Sequence, residues 1–383
     1  MSAIPAPRRT ADDERAERYS RTRELLSVAG MLYGLAIQAL LFWSGSSARL
    51  RDAVGRRVPG GWRLDVGYAL VHGLVEHALG LPLAYYRDYA VEHQYELSNQ
   101  DRRAWLVEEA KKTAVGLVFE VPLTAVAFGV IRRWPRRWWL ILTALAMPFT
   151  VLVAQLYPVL IAPIFNRFVP LRDAALGERV RALAERAGVR IADVVQMDMS
   201  RQTRKANAFF AGIGPTRRVA LGDTLVDQFT PDEVEVVVAH ELGHQVHGDI
   251  WKGVALGGVL TLAGAYGVAK LAPAIAARSR RRSGVAAIDD VASLPLLGLL
   301  LGVFSALAMP LANGFSRRFV ERPADRYALE LTGRPDAFVS AMERLGRLNL
   351  TDPDPSPIVK MVLHSHPTLE ERIQMARAYR HEP

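Results

Sequence analysis

"VVVAHELGHQVHGD", residues 236–249, joins a stretch of mixed polarity to a long apolar one. His240 and His244 are four residues apart, so on a helix both side chains leave the same face. Upstream, Thr230, Pro231 and Glu233 supply an N-cap, a proline suited to the first helical position and a capping box. The motif therefore lies well inside a helix with a defined start. Two neutral imidazoles at this spacing can hold one zinc ion from two sides. Glu241 sits where a carboxylate can take a proton from water activated by that metal, which is the logic of H-E-x-x-H.

A catalytic zinc needs a third protein ligand and an open position. His247 shares the face but lies about 10.5 Å along the axis from His240, too far to share one ion with both histidines. It reads as a polar residue near the mouth of the site. Glu321 and Asp325, in "SRRFVERPADRYALE" (316–330), offer the next carboxylates. They are either a ligand and the group that orients a histidine ring, or part of an ordinary charged helix. The soluble metzincin pattern fails, because it needs glycine at 247 and histidine at 250, where this chain has His247 and Ile250.

Around this motif the 383 residues divide sharply. Apolar runs at about 26–44, 66–86, 113–131, 138–161, 253–276 and 291–313 approach the roughly 20 residues that span a bilayer. The expected division is a polar tail over 1–25, four spans within 26–161, a protease domain over 162–250, two more spans within 251–313 and a polar C-terminal part over 314–383. Within 162–250, residues 176–189 have helical spacing. Residues 193–199, 205–213 and 217–226 read as short strands, with a turn at Gly212–Thr216. The fold class is thus mainly α: a transmembrane protein of about six spans, with an inserted zincin-like α+β domain carrying a small antiparallel sheet.

There are no cysteines, which removes disulfides, cysteine zinc sites and thiol nucleophiles. The net charge of +9 falls in arginines flanking the apolar runs, such as "RRWPRR" (132–137) and "RSRRRS" (278–283). Such placement suits lipid head groups rather than nucleic acid. Basic loops on both sides leave the orientation undecided by charge.

The ordered motifs "YELSNQ" (95–100), "YPVLIAPIFNRFVPL" (157–171), "NAFFAGIG" (207–214), "ALGDTL" (220–225), "HELGH" (240–244), "ERPAD" (321–325) and "HSHPTLEER" (364–372) resemble the integral-membrane zinc metalloproteases of the type I CaaX prenyl protease, or a-factor-converting, family. That resemblance implies one Zn2+ per chain held by His240, His244 and Glu321, with Glu241 as general base and Asp325 as support for a ligand. It places Asn207 and Ala208 on a strand that pairs with an extended peptide, and His366 and Arg372 at the oxyanion. By their own pattern, Thr368 and Glu371 read only as a helix start, with Arg372 on the surface. Pro323, between Glu321 and Asp325, disfavours a continuous helix there.

The family pattern has seven spans against six counted here, which puts the N-terminal tail on the catalytic side. It also implies an inward-facing chamber. His72, Glu76 and His77 in the second span and Glu120 in the third would line it or pair with one another. The alanine- and arginine-rich composition looks bacterial, and the expected place is the inner membrane with the protease domain on the cytosolic side, although short arginine loops on the opposite side argue against a cytosolic domain. The expected activity is endopeptidase cleavage of membrane-associated or misfolded proteins. Processing of prenylated CaaX ends and a non-catalytic zinc-binding role are the alternatives.

Overall fold

The computed structural model describes residues 11–211 and 217–380. Long helices form its membrane part. Ala11–Trp43 has 33 residues, Arg102–Arg133 has 32 and Asp249–Ser283 has 35, so each exceeds the roughly 30 Å hydrocarbon core. Among the described residues, five helical stretches are long and apolar enough to cross a membrane by length and composition: 12–43, 102–133, 138–165, 249–283 and 291–332. The other expected span, 66–86, is the 24-residue helix Trp62–Tyr85. It carries Asp65, His72, Glu76 and His77, which set it apart from the apolar five.

Apolar side chains cover the outside of these helices, with Leu307 76% exposed, as a lipid-facing surface requires. Inside, Phe42, Tyr68, Phe128, Ile131 and Leu296 form a buried core. Arg132 Nη1 reaches Asp65 Oδ1 at 3.2 Å and ties Trp62–Tyr85 to Arg102–Arg133. The N-terminal stretch expected as a solvated tail is helical from Ala11 onward. Tyr19 is buried there, its hydroxyl 2.6 Å from Glu92 Oε1.

The sheet has four strands in the order β1-β2-β4-β3: β1 (Phe168–Pro170), β2 (Asp193–Met197), β3 (Ala208–Ala211) and β4 (Arg218–Gly222). It is mixed rather than antiparallel. β1 with β2 and β3 with β4 run antiparallel, but β2 and β4 are parallel, with Asp193 opposite Arg218. The chain leaves β2, crosses to the far edge as β3 and returns as β4 between them, which fixes the parallel central pair. The expected strand 217–226 stops at Gly222 and continues as the helix Asp223–Gln228. β1, only three residues long and ending in proline, gives no alternation to read. The turn expected at 212–216 lies outside the described residues.

The helix Pro231–Val246 packs under this sheet, with Val234, Val236, Val238, Ala239 and Leu242 fully buried. Both halves of its capping box form: Thr230 Oγ1 accepts from Glu233 N, and Glu233 Oε2 accepts from Thr230 N. Its far end is set by Gly248 at φ 62°, a left-handed position that glycine takes without strain. The chain then starts Asp249–Ser283 at once.

Candidate metal centre

His240 and His244 leave Pro231–Val246 with their Nε2 atoms 3.1 Å apart and their rings nearly perpendicular. Glu321 arrives from a π-helical turn, Arg317–Glu321, between the helices Leu294–Ser316 and Arg322–Thr332. Its Oε2 is 3.5 Å from His240 Nε2 and 4.0 Å from His244 Nε2. These separations bracket the edge of a tetrahedron of about 2.1 Å bonds, roughly 3.4 Å. Glu321 Oε2 is buried and meets no hydrogen-bond geometry, although the Nε2 atoms of His240, His244 and His366 stand 3.1–4.0 Å from it. A buried carboxylate oxygen ringed by imidazole nitrogens fits a cation held among them.

The outer ring nitrogens are both committed. His240 Nδ1 lies 2.8 Å from Asp325 Oδ1, and His244 Nδ1 lies 2.8 Å from Asp249 Oδ2. In the neutral ring, carboxylates at these positions hold the proton on Nδ1 and leave the Nε2 lone pair facing the centre. Burial by itself would lower the His240 pKa, but Asp325 and then Glu321 outweigh it and push it up to about 9. The same negative field favours any cation placed there.

Close helix packing brings Glu321 in. A Cβ on Gly243 would meet Ala324 Cα at 3.0 Å, so glycine in "HELGH" lets Arg322–Thr332 lie directly on the histidine helix. Pro323 causes no break, because the helix widens into the π turn just before it. Within this turn the carbonyl of Phe319 accepts from Lys252 Nζ at 3.0 Å.

Glu241 has its carboxylate within 4.8 Å of the ligand atoms of both histidines. Burial raises its pKa, opposed by the two histidines, and a carboxylate so tuned holds a proton more readily. Asn207, Ala208, His240, Glu241, His366 and Arg372 line one cavity. Ala208 opens β3, the edge strand of the sheet, and Asn207 O accepts from Gly222 N at 3.0 Å. His366 stands in the loop before Leu369–Tyr379 with Nε2 3.1 Å from Glu321 Oε2. Arg372 is no surface residue: Nε and Nη2 grip the fully buried Asp325 at 2.9 and 2.5 Å. Thr368 and Glu371 complete the capping box below it.

His247 lies outside the cluster, edge-on to Tyr327. Asp249 was missed by sequence reasoning. It sits past the end of the motif helix, and the signal for it was the need of each candidate ligand histidine for an orienting partner.

Residues 170–380 match the model of peptidase family M48, and residues 9–167 match the CAAX prenyl protease N-terminal region of five membrane helices. The uncharacterized metalloprotease YhfN of Bacillus subtilis is 30% identical over 368 residues, covering 96% of this chain and 86% of its own. CAAX prenyl protease 1 of Saccharomyces cerevisiae is 26% identical over 406 residues, with 94% and 85% covered. The crystal structure of S. mikatae Ste24p shares the fold, with a TM-score of 0.86 at 21% identity over 98% of this chain and 91% of that one. A helical membrane frame, a buried H-E-x-x-H centre and these matches lead to one assignment: the chain belongs to peptidase family M48 and is an integral-membrane zinc metalloendopeptidase.

Proposed function

We propose that His240, His244 and Glu321 hold one zinc ion per chain and that Glu241 is the general base of peptide-bond hydrolysis. The observation that carries this is the convergence of the Nε2 atoms of His240 and His244 with a buried Glu321 carboxylate oxygen within 3.1–4.0 Å. The ion supplies Lewis acidity, which brings the pKa of water to about 7. Glu241 takes a proton from the attacking water as its oxygen bonds to the scissile carbonyl carbon, then delivers it to the departing amine as the C–N bond breaks. His366 and Arg372 donate to the oxyanion. Arg372 commits Nε and one N–H of Nη2 to Asp325, and Nη1, which has no tie to Asp325, is assigned this role. Asp325 and Asp249 keep the ligand rings oriented.

The substrate is a peptide bound in extended form along β3. As an edge strand, β3 can take another strand beside Asn207 and Ala208. We assign residues 162–250 and 314–383 to the protease part and the apolar segments of 26–161 and 251–313 to the bilayer. Ser98 bridges to Thr203, and Asn99 Nδ2 donates to Ser200 O. These contacts support one common side for the loop 87–112 and the protease part. The reading favoured is a bacterial inner-membrane enzyme with its site toward the cytosol, acting on membrane-associated or misfolded proteins and not on nucleic acid. CaaX processing is the second reading, favoured by the likeness to the yeast prenyl protease.

The test is cleavage of an unbiased peptide library by the purified wild type and Glu241→Gln, read by mass spectrometry. Cutting by the wild type, stopped by a chelator and absent from a zinc-loaded variant, supports the roles given. Cutting by the variant at the wild-type rate sinks them. Preference for prenylated ends would select the second reading.

A further inference from the structure

The polar residues inside the second and third expected spans come together. His72 and Glu76 lie one turn apart on Trp62–Tyr85, and Glu120 faces them from Arg102–Arg133. One donor atom from each lies within 4.8 Å of the others, with His72 Nε2 3.6 Å from Glu76 Oε1. Gly73 makes this approach possible. A Cβ there would stand 2.6 Å from Leu117 Cδ2 and 3.1 Å from Glu120 Oε2.

His72 is 2% exposed and stacked on Tyr68, whose hydroxyl is fixed by Ser47 at 2.6 Å. Neither of its ring nitrogens has a hydrogen-bond partner. A buried imidazole with both nitrogens unserved, one of them aimed at a carboxylate beyond hydrogen-bond reach, is expensive as it stands. Gln38, from Ala11–Trp43, donates to Glu76 Oε1, and its own Oε1 is buried without a partner. His77 turns away to Thr113 Oγ1 at 2.7 Å.

Two carboxylates this close inside a membrane repel unless something neutralises them. Among the described residues, no lysine or arginine forms an ion pair with Glu76 or Glu120. One imidazole nitrogen and two carboxylate oxygens are a donor set suited to zinc and its first-row neighbours, and a divalent ion would balance both charges. Glu76 also opens onto a cleft lined by Gly30, Tyr33, Gln38, Gly80 and Arg87, which gives an entry path.

We propose that His72, Glu76 and Glu120 form a second divalent-cation site, separate from the H-E-x-x-H centre, that pins Trp62–Tyr85 to Arg102–Arg133. Gln38 holds Glu76 in place from the first helix. The competing arrangement is a proton shared between Glu76 and Glu120.

The experiment is a zinc titration of the purified full chain in nanodiscs, read as equivalents bound after equilibrium dialysis and as the thermal midpoint. The wild type should bind two equivalents. His240→Ala/His244→Ala should keep one, and zinc should still raise its thermal midpoint. Adding Glu120→Gln, or separately His72→Ala, should remove that second equivalent and the thermal shift with it. One equivalent on the wild type at saturating zinc overturns the proposal. So does a second equivalent that survives both cluster variants. Because the two equivalents respond to different substitutions, loss of the H-E-x-x-H ion would be seen separately from failure of this site.

Discussion

Lys252 donates to the carbonyl of Phe319, inside the turn that presents Glu321, at 3.0 Å. The same ammonium holds Asp249 Oδ1 at 2.6 Å, and Asp249 Oδ2 holds His244 Nδ1. One lysine thus ties the turn that presents Glu321 to the ring of a histidine ligand. Lys252→Met should lower zinc affinity by about 10–100-fold, as loss of an outer partner does, with the fold retained. Lys252→Arg should restore part of it. Chelator competition on the two variants checks this, and equal affinities for Lys252→Met and wild type would refute the linkage.

Asp325 serves His240 and Arg372 together. Asp325→Asn removes the charge that both need and leaves a buried guanidinium unpaired. The expected cost is about 3 kcal/mol of stability in addition to weaker zinc binding. Asp249→Asn should weaken zinc binding with a smaller loss of stability, because Lys252 is about a third exposed and can reach water. Denaturant melts of the zinc-free proteins separate the two outcomes.

Gly243→Ala puts a methyl group 3.0 Å from Ala324 Cα. Helix propensity alone would favour alanine by about 1 kcal/mol. Overpacking should win and destabilise by about 1–3 kcal/mol, while pushing Glu321 away from the histidines. A lower thermal midpoint together with reduced metal content is the expected pair of observations. An alanine variant that is more stable and fully loaded would show the helices have room to spare.

His240 in the zinc-free protein holds a proton up to about pH 9. The sign follows from the raised value. Its protonated form stabilises the zinc-free fold below the ordinary histidine value, and that contribution fades as pH rises through about 9. Zinc must displace this proton. Apparent affinity should therefore rise by about tenfold per pH unit between pH 7 and 8, with one proton released per ion. Calorimetry in buffers of different ionisation enthalpy measures that number directly, and none released would contradict the assignment.

The histidine helix was legible because what defines its start is local: Thr230, Pro231 and Glu233 lie within one turn of one another. The apolar runs were legible for the same reason. The parallel pairing of β2 with β4 was not, since strand direction depends on where β3 lands and not on the residues of either partner. Pro323 looked like an obstacle to Glu321 because the widened turn before it is braced by Lys252, which lies 67 residues ahead of Phe319 in the chain. Asp249 was hidden by position: the glycine that ends one helix also swings the next residue back beneath His244. Arg372 reads as solvated until Asp325, from another helix, is seen in its grip.

Asp249 is the first residue of a 35-residue rod, about 52 Å long, that enters the bilayer. The carboxylate orienting His244 is therefore fixed to the end of a lever whose tilt answers to the thickness of the surrounding lipid. Turnover should vary with acyl-chain length in reconstituted vesicles, and Asp249→Asn should flatten that dependence by uncoupling the ring from the rod.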